Sequence, residues 1–197
     1  RLADYSQLAE LELHGYSEPA LPQLPATLTH LSMSGATALR TLPVAPRLRS
    51  LTLTRCTALG AWPDSTTAMT QLTQLSLRHC RLRALPAPLA ALPAVEVLNL
   101  AHNELQDLPA LRGVASLRRL VLSYNDLQLV PKAVGGGAAY SLQHLDLSYN
   151  DELVITDLGA AALQSMTALT YLNLEWLRSS QKRGVEHAMP KWCTVNG

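Results

Sequence analysis

Apolar residues return along this chain at fixed intervals. The spacing is LxxLxLxxNxLxxLP, in which the first, fourth and sixth positions are apolar. The pattern occurs eight times in one register, with first positions at Leu8, Leu28, Leu48, Leu72, Val95, Leu117, Leu142 and Leu169. A period of 20 to 27 residues indicates one structural unit that is repeated along the chain.

The apolar fourth and sixth positions predict a short strand in every repeat. They lie two residues apart, so their side chains face the same side of a strand. Neighbouring repeats then pair their strands into a parallel sheet, with strands about 4.8 Å apart, and stacking buries the apolar face that a single repeat leaves open. The pattern resembles the leucine-rich repeat. The predicted fold is therefore an α/β leucine-rich-repeat solenoid: a curved horseshoe with the sheet on its concave face and a mostly extended or 3₁₀ convex side with a few short helices.

The ninth position ends the strand and must satisfy the backbone of the turn. Asn103, Asn125 and Asn150 occupy it in three repeats, where a side-chain amide can bond to the turn backbone. Cys56 and Cys80 occupy it in the third and fourth repeats. Stacked repeats would bring the two cysteines within disulfide range, but we expect buried free thiols that act as weak donors inside the turn.

The segments between the strands predict little regular structure. Residues 157–166 are the best candidate for a helix, with Thr156 or Asp157 as its N-cap. A glycine-rich stretch at 134–139 is expected to be a flexible convex loop, and it lacks the Gly-Lys-Ser/Thr of a phosphate-binding loop. The repeat pattern fades after Trp176, which predicts a leucine-rich-repeat domain at 1–176 and a cap or tail at 177–197.

Composition and motifs favour a binding protein over an enzyme. The net charge of +1 and the mixed charges of the strand face argue against a nucleic-acid partner, and no apolar run approaches the roughly 18 residues of a membrane span. We find no metal-ligand spacing and predict no metal, no cofactor and no catalytic residue. His144, Asp146 and Ser148 alternate on one strand, but neighbours on one face are about 6.6 Å apart, too far for direct hydrogen bonds.

The first two repeats carry a more specific resemblance. The sequence from Leu21 to Met33, LPQLPATLTHLSM, resembles the LPxLPxxLxxLxV repeat of bacterial effectors that are injected into host cells. The IpaH-type ubiquitin ligases and leucine-rich-repeat effectors of plant-associated bacteria carry such domains, and type III secretion delivers them. The resemblance implies recognition of a host protein, with catalysis in a separate domain where there is one. Cys193 precedes Thr194 and Val195, which departs from the CxD motif of those ligases.

The third, fifth, seventh and eighth positions of each repeat are predicted to face outward on the concave side. The eighth positions change from glycine to arginine, histidine, tyrosine and tryptophan along the chain, which predicts a ridge of neighbouring side chains. An alternative is that these side chains pack onto the turn of the next repeat. The predicted protein-binding residues are Arg55, Arg78, His79, His102, Arg119, Tyr124, His144, Asp146, Tyr149, Tyr171, Glu175 and Trp176.

The expected function is therefore protein binding through the concave face, as the target-recognition domain of a secreted effector. We expect a monomer that acts inside a host cell, with the bacterial cytoplasm as the alternative location. Two other functions stay open. The chain could be the substrate-recognition half of a larger enzyme such as a ubiquitin ligase, or a structural scaffold within its own cell.

Overall fold

The computed structural model describes residues 2–59, 69–86, 89, 92–109, 111, 115–131, 140–178, 181, 185, 189 and 193–196. These residues form one parallel sheet in which each strand lies beside its neighbours in sequence. Its strands are β1 (Glu10–His14), β2 (His30–Ser34), β3 (Ser50–Thr54), β4 (Gln74–Arg78), β5 (Val97–Asn99), β6 (Arg119–Val121), β7 (His144–Asp146), β8 (Tyr171–Asn173) and β9 (Thr194–Asn196). A 3₁₀ turn at Leu2–Asp4 precedes the sheet, and one α-helix, α1 (Asp157–Gln164), lies between β7 and β8.

The sheet register confirms the predicted solenoid. The fourth position of each repeat pairs with the fourth position of the next, as in Leu11 with Leu31 and Leu145 with Leu172. The ninth strand lies outside the eight predicted repeats, and its Val195 pairs with Leu172 of β8. The segment at 177–197 thus includes a strand that continues the sheet.

Leucine side chains from the strands fill the interior of the solenoid. The fourth and sixth positions from β2 to β8 are buried, whereas Leu11 and Leu13 of β1 are only partly buried. The reason is that β1 has a sheet neighbour on one side only. Each repeat therefore depends on its neighbours to cover its apolar face.

The ninth-position side chains bond the turns of neighbouring repeats together, as the sequence predicts. Asn150 is fully buried. Its Nδ2 donates to the carbonyl oxygens of Leu122 (3.1 Å) and Leu147 (2.8 Å), and its Oδ1 accepts from the amide of Leu127 (3.1 Å). Asn125 makes the corresponding bonds one repeat earlier, where its Oδ1 accepts from the amide of Leu105 (3.0 Å). One side-chain amide group thus forms hydrogen bonds with backbone groups of two repeats.

Both ninth-position cysteines are buried free thiols, as predicted. The Sγ of Cys80 donates to the carbonyl oxygens of Leu53 (3.6 Å) and Arg78 (3.3 Å), and Cys56 makes longer contacts of the same kind. Burial raises the pKa of Cys80 to about 11 and also raises that of Cys56. These thiols therefore stay protonated and serve as donors in the turn.

The α-helix begins where the sequence predicts. Thr156 is its N-cap, and the side-chain oxygen of Thr156 accepts a hydrogen bond from the amide of Gly159 (3.2 Å). The helix ends at Gln164, two residues before the predicted end. The predicted glycine-rich loop at 134–139 lies outside the described residues. Within the described part of the chain, no helix has the length and apolar character to cross a membrane.

Replacing Asn150 tests the contribution of the turn amide. The Asn150→Ala substitution leaves a buried amide and buried carbonyl groups without partners, so we expect a loss of about 2–3 kcal/mol in the free energy of unfolding. Asn150→Cys keeps the donor that Cys56 and Cys80 supply elsewhere, and its loss should be smaller. Urea denaturation followed by circular dichroism measures both, and equal stability of the alanine variant and the unmodified protein would contradict this role.

Candidate functional site

The eighth position of each repeat adopts a left-handed backbone conformation. In the first two repeats it is glycine, with φ of 61° at Gly15 and 68° at Gly35. In the six later repeats a residue with a side chain takes the same conformation, with φ between 55° and 63° at Arg55, His79, His102, Tyr124, Tyr149 and Trp176. This conformation costs about 1–2 kcal/mol for a residue with a Cβ. Six side chains therefore occupy positions that glycine fills without strain.

These residues also extend the backbone hydrogen bonds beyond the ends of the strands. In the first seven repeats the amide of the eighth-position residue donates to the seventh-position carbonyl of the next repeat, as from Arg55 to Arg78 (2.9 Å) and from Tyr149 to Glu175 (3.0 Å). Each eighth-position Cα is thus fixed relative to the next one. Side chains that leave the backbone here have to follow parallel directions.

Five of these side chains form a continuous stack of rings, which we name the aromatic ridge: His79, His102, Tyr124, Tyr149 and Trp176. The first three ring-to-ring distances are 4.0–4.1 Å with interplanar angles of 10–15°, and the last step, from Tyr149 to Trp176, is 5.4 Å and 27°. The rings thus pack on each other from one repeat to the next. Tyr124 is 42% exposed and Trp176 is 70% exposed.

The other predicted site residues lie at third, fifth, seventh and eighth positions of the repeats. Arg55, Arg78 and Arg119 are exposed, and the rings of His144 and Tyr171 form a second stacked pair at 4.4 Å. Asp146 and Glu175 are partly buried. All twelve predicted residues thus have side chains with exposed surface on the strands or on the turns that follow them, and the structure brings seven of them together in ring stacks.

Two of the geometric expectations are wrong. Ala101, Ser123 and Ser148 occupy seventh positions and are buried, although the frame predicted that they face outward. All three side chains are small, whereas Arg78 and Glu175 keep exposed surface at the same position. The hydroxyl of Ser148 also reaches Oδ1 of Asp146 at 2.6 Å, a hydrogen bond that ideal strand geometry excluded.

The structure also shows a polar cluster that the sequence analysis missed. On the first two strands, Nδ1 of His14 lies 2.6 Å from Oγ of Ser34, and its Nε2 lies 3.4 Å from Oε1 of Glu12. His30 lies beside Glu10, with 3.9 Å between Nδ1 and Oε1. These partners are up to 20 residues apart in sequence, and only their shared columns in the repeat frame could have signalled the contacts. The carboxylates are largely exposed and make this end of the concave face acidic.

Histidines on and beside the ridge have lowered pKa values. Desolvation is the main cause for His79 and His102, and the positive charge of Arg78 also lowers the pKa of both. Desolvation and Arg119 likewise lower the pKa of His144. The stacked imidazoles are therefore mainly neutral at pH 7 and can accept a hydrogen bond from a partner.

Known proteins share this repeat and this fold. Residues 70–127 and 141–163 match sequence profiles described as leucine-rich repeats. The chain is 31% identical over 128 residues to leucine-rich repeat-containing G-protein coupled receptor 5 of Rattus norvegicus, a match that covers 63% of this chain and 14% of the receptor. The chain thus spans about a seventh of that relative.

Two solved structures are similar to the whole solenoid. The leucine-rich-repeat domain of the type III effector XopL superposes with a TM-score of 0.72 at 23% identity, over 95% of this chain and 75% of that one. A leucine-rich-repeat protein of Leptospira interrogans gives 0.67 at 22% identity, over 87% and 49%. The fold is therefore a leucine-rich-repeat solenoid, a fold that generally serves as a protein-interaction module.

The lowered histidine pKa values predict that acid destabilises the ridge. The folded protein binds fewer protons than the unfolded chain, in which the histidine pKa is near 6.5. The contribution of the neutral histidines to the free energy of unfolding is fully present above pH 6.5. It is lost as the pH falls through the folded-state pKa values of these histidines. We expect the melting temperature to drop between pH 7.5 and pH 5.

The double variant His79→Asn/His102→Asn should show a smaller drop, and asparagine tolerates the left-handed backbone at both positions. His14→Asn, outside the ridge, serves as the control and should retain the full drop. The same drop in the double variant and in the unmodified protein would contradict the prediction.

Proposed function

We propose that this chain binds a protein partner through the aromatic ridge and the adjoining concave side chains. The observation that carries the proposal is the five-ring stack, which lies along the exposed edge of the sheet. Tyrosine, tryptophan and arginine dominate the energetic centres of protein interfaces. Here tyrosine and tryptophan lie in one row, and the rings of His144 and Tyr171 form a second stack at the beginning of their strands.

The backbone conformation of the ridge supports a binding role. Gly15 and Gly35 show that the turn forms without a side chain, so the later repeats carry strain that folding alone does not require. Stacking also restricts the ring rotamers before a partner arrives. A partner then binds with a smaller loss of side-chain entropy than it would on freely rotating side chains.

We further propose that the partner is a host protein and that the chain is the monomeric target-recognition domain of a secreted bacterial effector. The support is the LPxLP repeat between Leu21 and Met33. The likeness to XopL concerns the fold. The same repeat supports a second candidate, in which a catalytic domain elsewhere in the parent protein, such as a ubiquitin ligase domain, modifies the bound target. The reading frame of the parent gene distinguishes the two.

Substitution of the ridge tyrosines tests the binding surface. Tyr124→Asn with Tyr149→Asn removes two rings but keeps residues that tolerate the left-handed backbone. We expect at least a tenfold loss of affinity for a partner captured from host lysate, measured by biolayer interferometry, because each ring contributes contact area that excludes water. Tyr140→Asn is the matched control, since Tyr140 is 77% exposed and lies outside the ridge.

Two results would count against the ridge as the binding site. One is unchanged affinity in the double variant, and the other is an equal loss in the Tyr140 control. Thermal melts of all three proteins show whether a loss of affinity reflects unfolding.

Delivery into host cells tests the effector proposal. The parent protein fused to a calmodulin-dependent adenylate cyclase should raise cyclic AMP in host cells that are exposed to the producing bacterium. The signal should vanish in a strain without a functional type III secretion apparatus, because the fusion then stays in bacteria that lack calmodulin. A signal that is absent from both strains, although the fusion is expressed, would favour a role within the bacterial cell.

A further inference from the structure

A cavity of about 520 Å³, lined by polar residues, opens at the His79 end of the aromatic ridge. Basic and hydroxyl side chains make up most of its lining: Arg55, His79, Arg81, His102, Thr37 and Thr57. The cavity lies across four neighbouring turns, those of the second to the fifth repeat. Its residues belong to the eighth, ninth and tenth positions of their repeats, outside the strand face itself.

The cavity carries an uncompensated positive charge. The ion pairs of the described residues involve neither Arg55 nor Arg81. Glu104 also lines the cavity, but its Oε2 already accepts a hydrogen bond from Nε of Arg83 at 3.1 Å. Arg78 adds further positive charge nearby, since it lowers the pKa of both cavity histidines.

The backbone holds Arg81 in place for this role. Among the described residues, Arg81 is the one non-glycine residue outside the eighth positions with a positive φ, of 55°. The amides on either side of it, of Cys80 (3.0 Å) and Leu82 (3.1 Å), both donate to Oδ1 of Asn103. The ninth-position asparagines of the later repeats, Asn125 and Asn150, each accept a hydrogen bond from one such amide. The fourth repeat thus has a tighter turn, which fixes the backbone of Arg81 at the cavity.

We propose that this cavity binds the phosphate monoester of a phosphorylated side chain, on the protein that docks along the aromatic ridge. This inference rests on the proposed function, because the phosphorylated side chain belongs to the protein partner proposed there. Two guanidinium groups match the double charge of a phosphate monoester, whereas one suffices for a carboxylate. The hydroxyls of Thr37 and Thr57 supply further donors to its oxygens.

The charge distribution favours a protein over a nucleic acid or a membrane surface. Two carboxylates, Glu10 and Glu12, lie on β1, before the repeats that form the cavity. Two others, Asp146 on β7 and Glu175 just after β8, lie in repeats that come after it. A continuous polyanion along the concave face would meet these carboxylates. A single phosphate on a neutral or mixed-charge segment would not.

The length of the aromatic ridge sets how many residues of a bound peptide segment lie along it. From His79 to Trp176 there are four ring-to-ring steps of 4.0 to 5.4 Å. An extended peptide advances about 3.3 Å per residue, so about five residues beyond the phosphorylated one would reach Trp176. Trp176 lies at the end of the stack, where it offers one uncovered face to an apolar side chain of the peptide.

Nuclear magnetic resonance titration of the intact chain tests the cavity without any partner. The probes are phenyl phosphate and benzoate, which share a ring and differ in the anion, at pH 7 and constant ionic strength. We expect saturable shifts of the imidazole Cε1–H signals of His79 and His102 with phenyl phosphate, and a rise in their pKa values. Benzoate should bind at least tenfold more weakly, and the signals of His14 and His30 should not move.

Variants of the two arginines provide the matched comparison. Arg55→Asn and Arg81→Asn keep residues that tolerate positive φ, and each should weaken phenyl phosphate binding at least tenfold. Arg118→Asn removes an exposed arginine outside the cavity and should leave binding unchanged. Tyr124→Asn with Tyr149→Asn should also retain phosphate binding while it loses partner binding.

Several outcomes would overturn the phosphate site. They are the absence of saturable shifts, equal binding of benzoate, and equal binding by the arginine variants and the unmodified protein. Binding of single-stranded DNA or of vesicles with anionic lipid that depends on Arg55 and Arg81 would also overturn it, since the site would then serve another class of partner. If phosphate fails to bind while the ridge variants still lose the partner, the protein-binding function stands and the phosphate site falls.

Discussion

The backbone hydrogen bond that links the eighth position of one repeat to the next repeat is the constraint on which this structure depends. The amide at this position donates to the next repeat, as from Tyr124 to the carbonyl of Ser148 at 3.1 Å, while the left-handed backbone turns the chain away from the sheet. Both conditions fix the position and the direction of one Cβ in every repeat. The stack of rings follows from this, because equivalent positions on strands about 4.8 Å apart have similar Cα–Cβ directions, which bring the rings within stacking distance.

In five of the eight repeats the side chain at the ninth position supports this turn by bonding to the backbone that the turn exposes. Asparagine does so with a donor and an acceptor, as in Asn125, whereas cysteine supplies a weak donor, as in Cys56. In the second repeat Ala36 is buried at this position and supplies neither. The repeats with asparagine also carry His102, Tyr124 and Tyr149 at their eighth positions. Three of the five ridge residues thus lie in turns that asparagine satisfies, whereas His79 precedes Cys80 and Trp176 precedes Leu177.

The sequence predicts the features that follow from the repeat frame alone. The apolar pairs predicted eight strands and their register, and the column of eighth positions predicted neighbouring aromatic side chains. It did not predict β9, because Thr194–Asn196 lies outside the frame and becomes a strand through backbone pairing with β8.

Contacts that depend on local departures from the repeat frame could not be predicted from the sequence either. The hydroxyl of Ser148 bonds Asp146 beyond the end of β7, and Arg81 lies between two amides that converge on Asn103. The parallel stacking of the rings depends on a backbone angle that no single residue type signals. Gly15 and Gly35 hint at it, since glycine commonly marks a positive φ, but the tyrosines and histidines that follow in the same column do not.

The stacking itself restricts what the ridge can recognise. His102, Tyr124 and Tyr149 each have a ring on both sides, so their faces are covered. A ligand that binds by stacking its bases on aromatic rings needs such faces, and within the described stack the two end rings, His79 and Trp176, have a ring on one side only. The ridge instead presents ring edges with their N–H and O–H groups. Such a surface suits a partner that brings its own apolar and hydrogen-bonding side chains in fixed positions, which is the chemistry of a folded protein or an extended peptide.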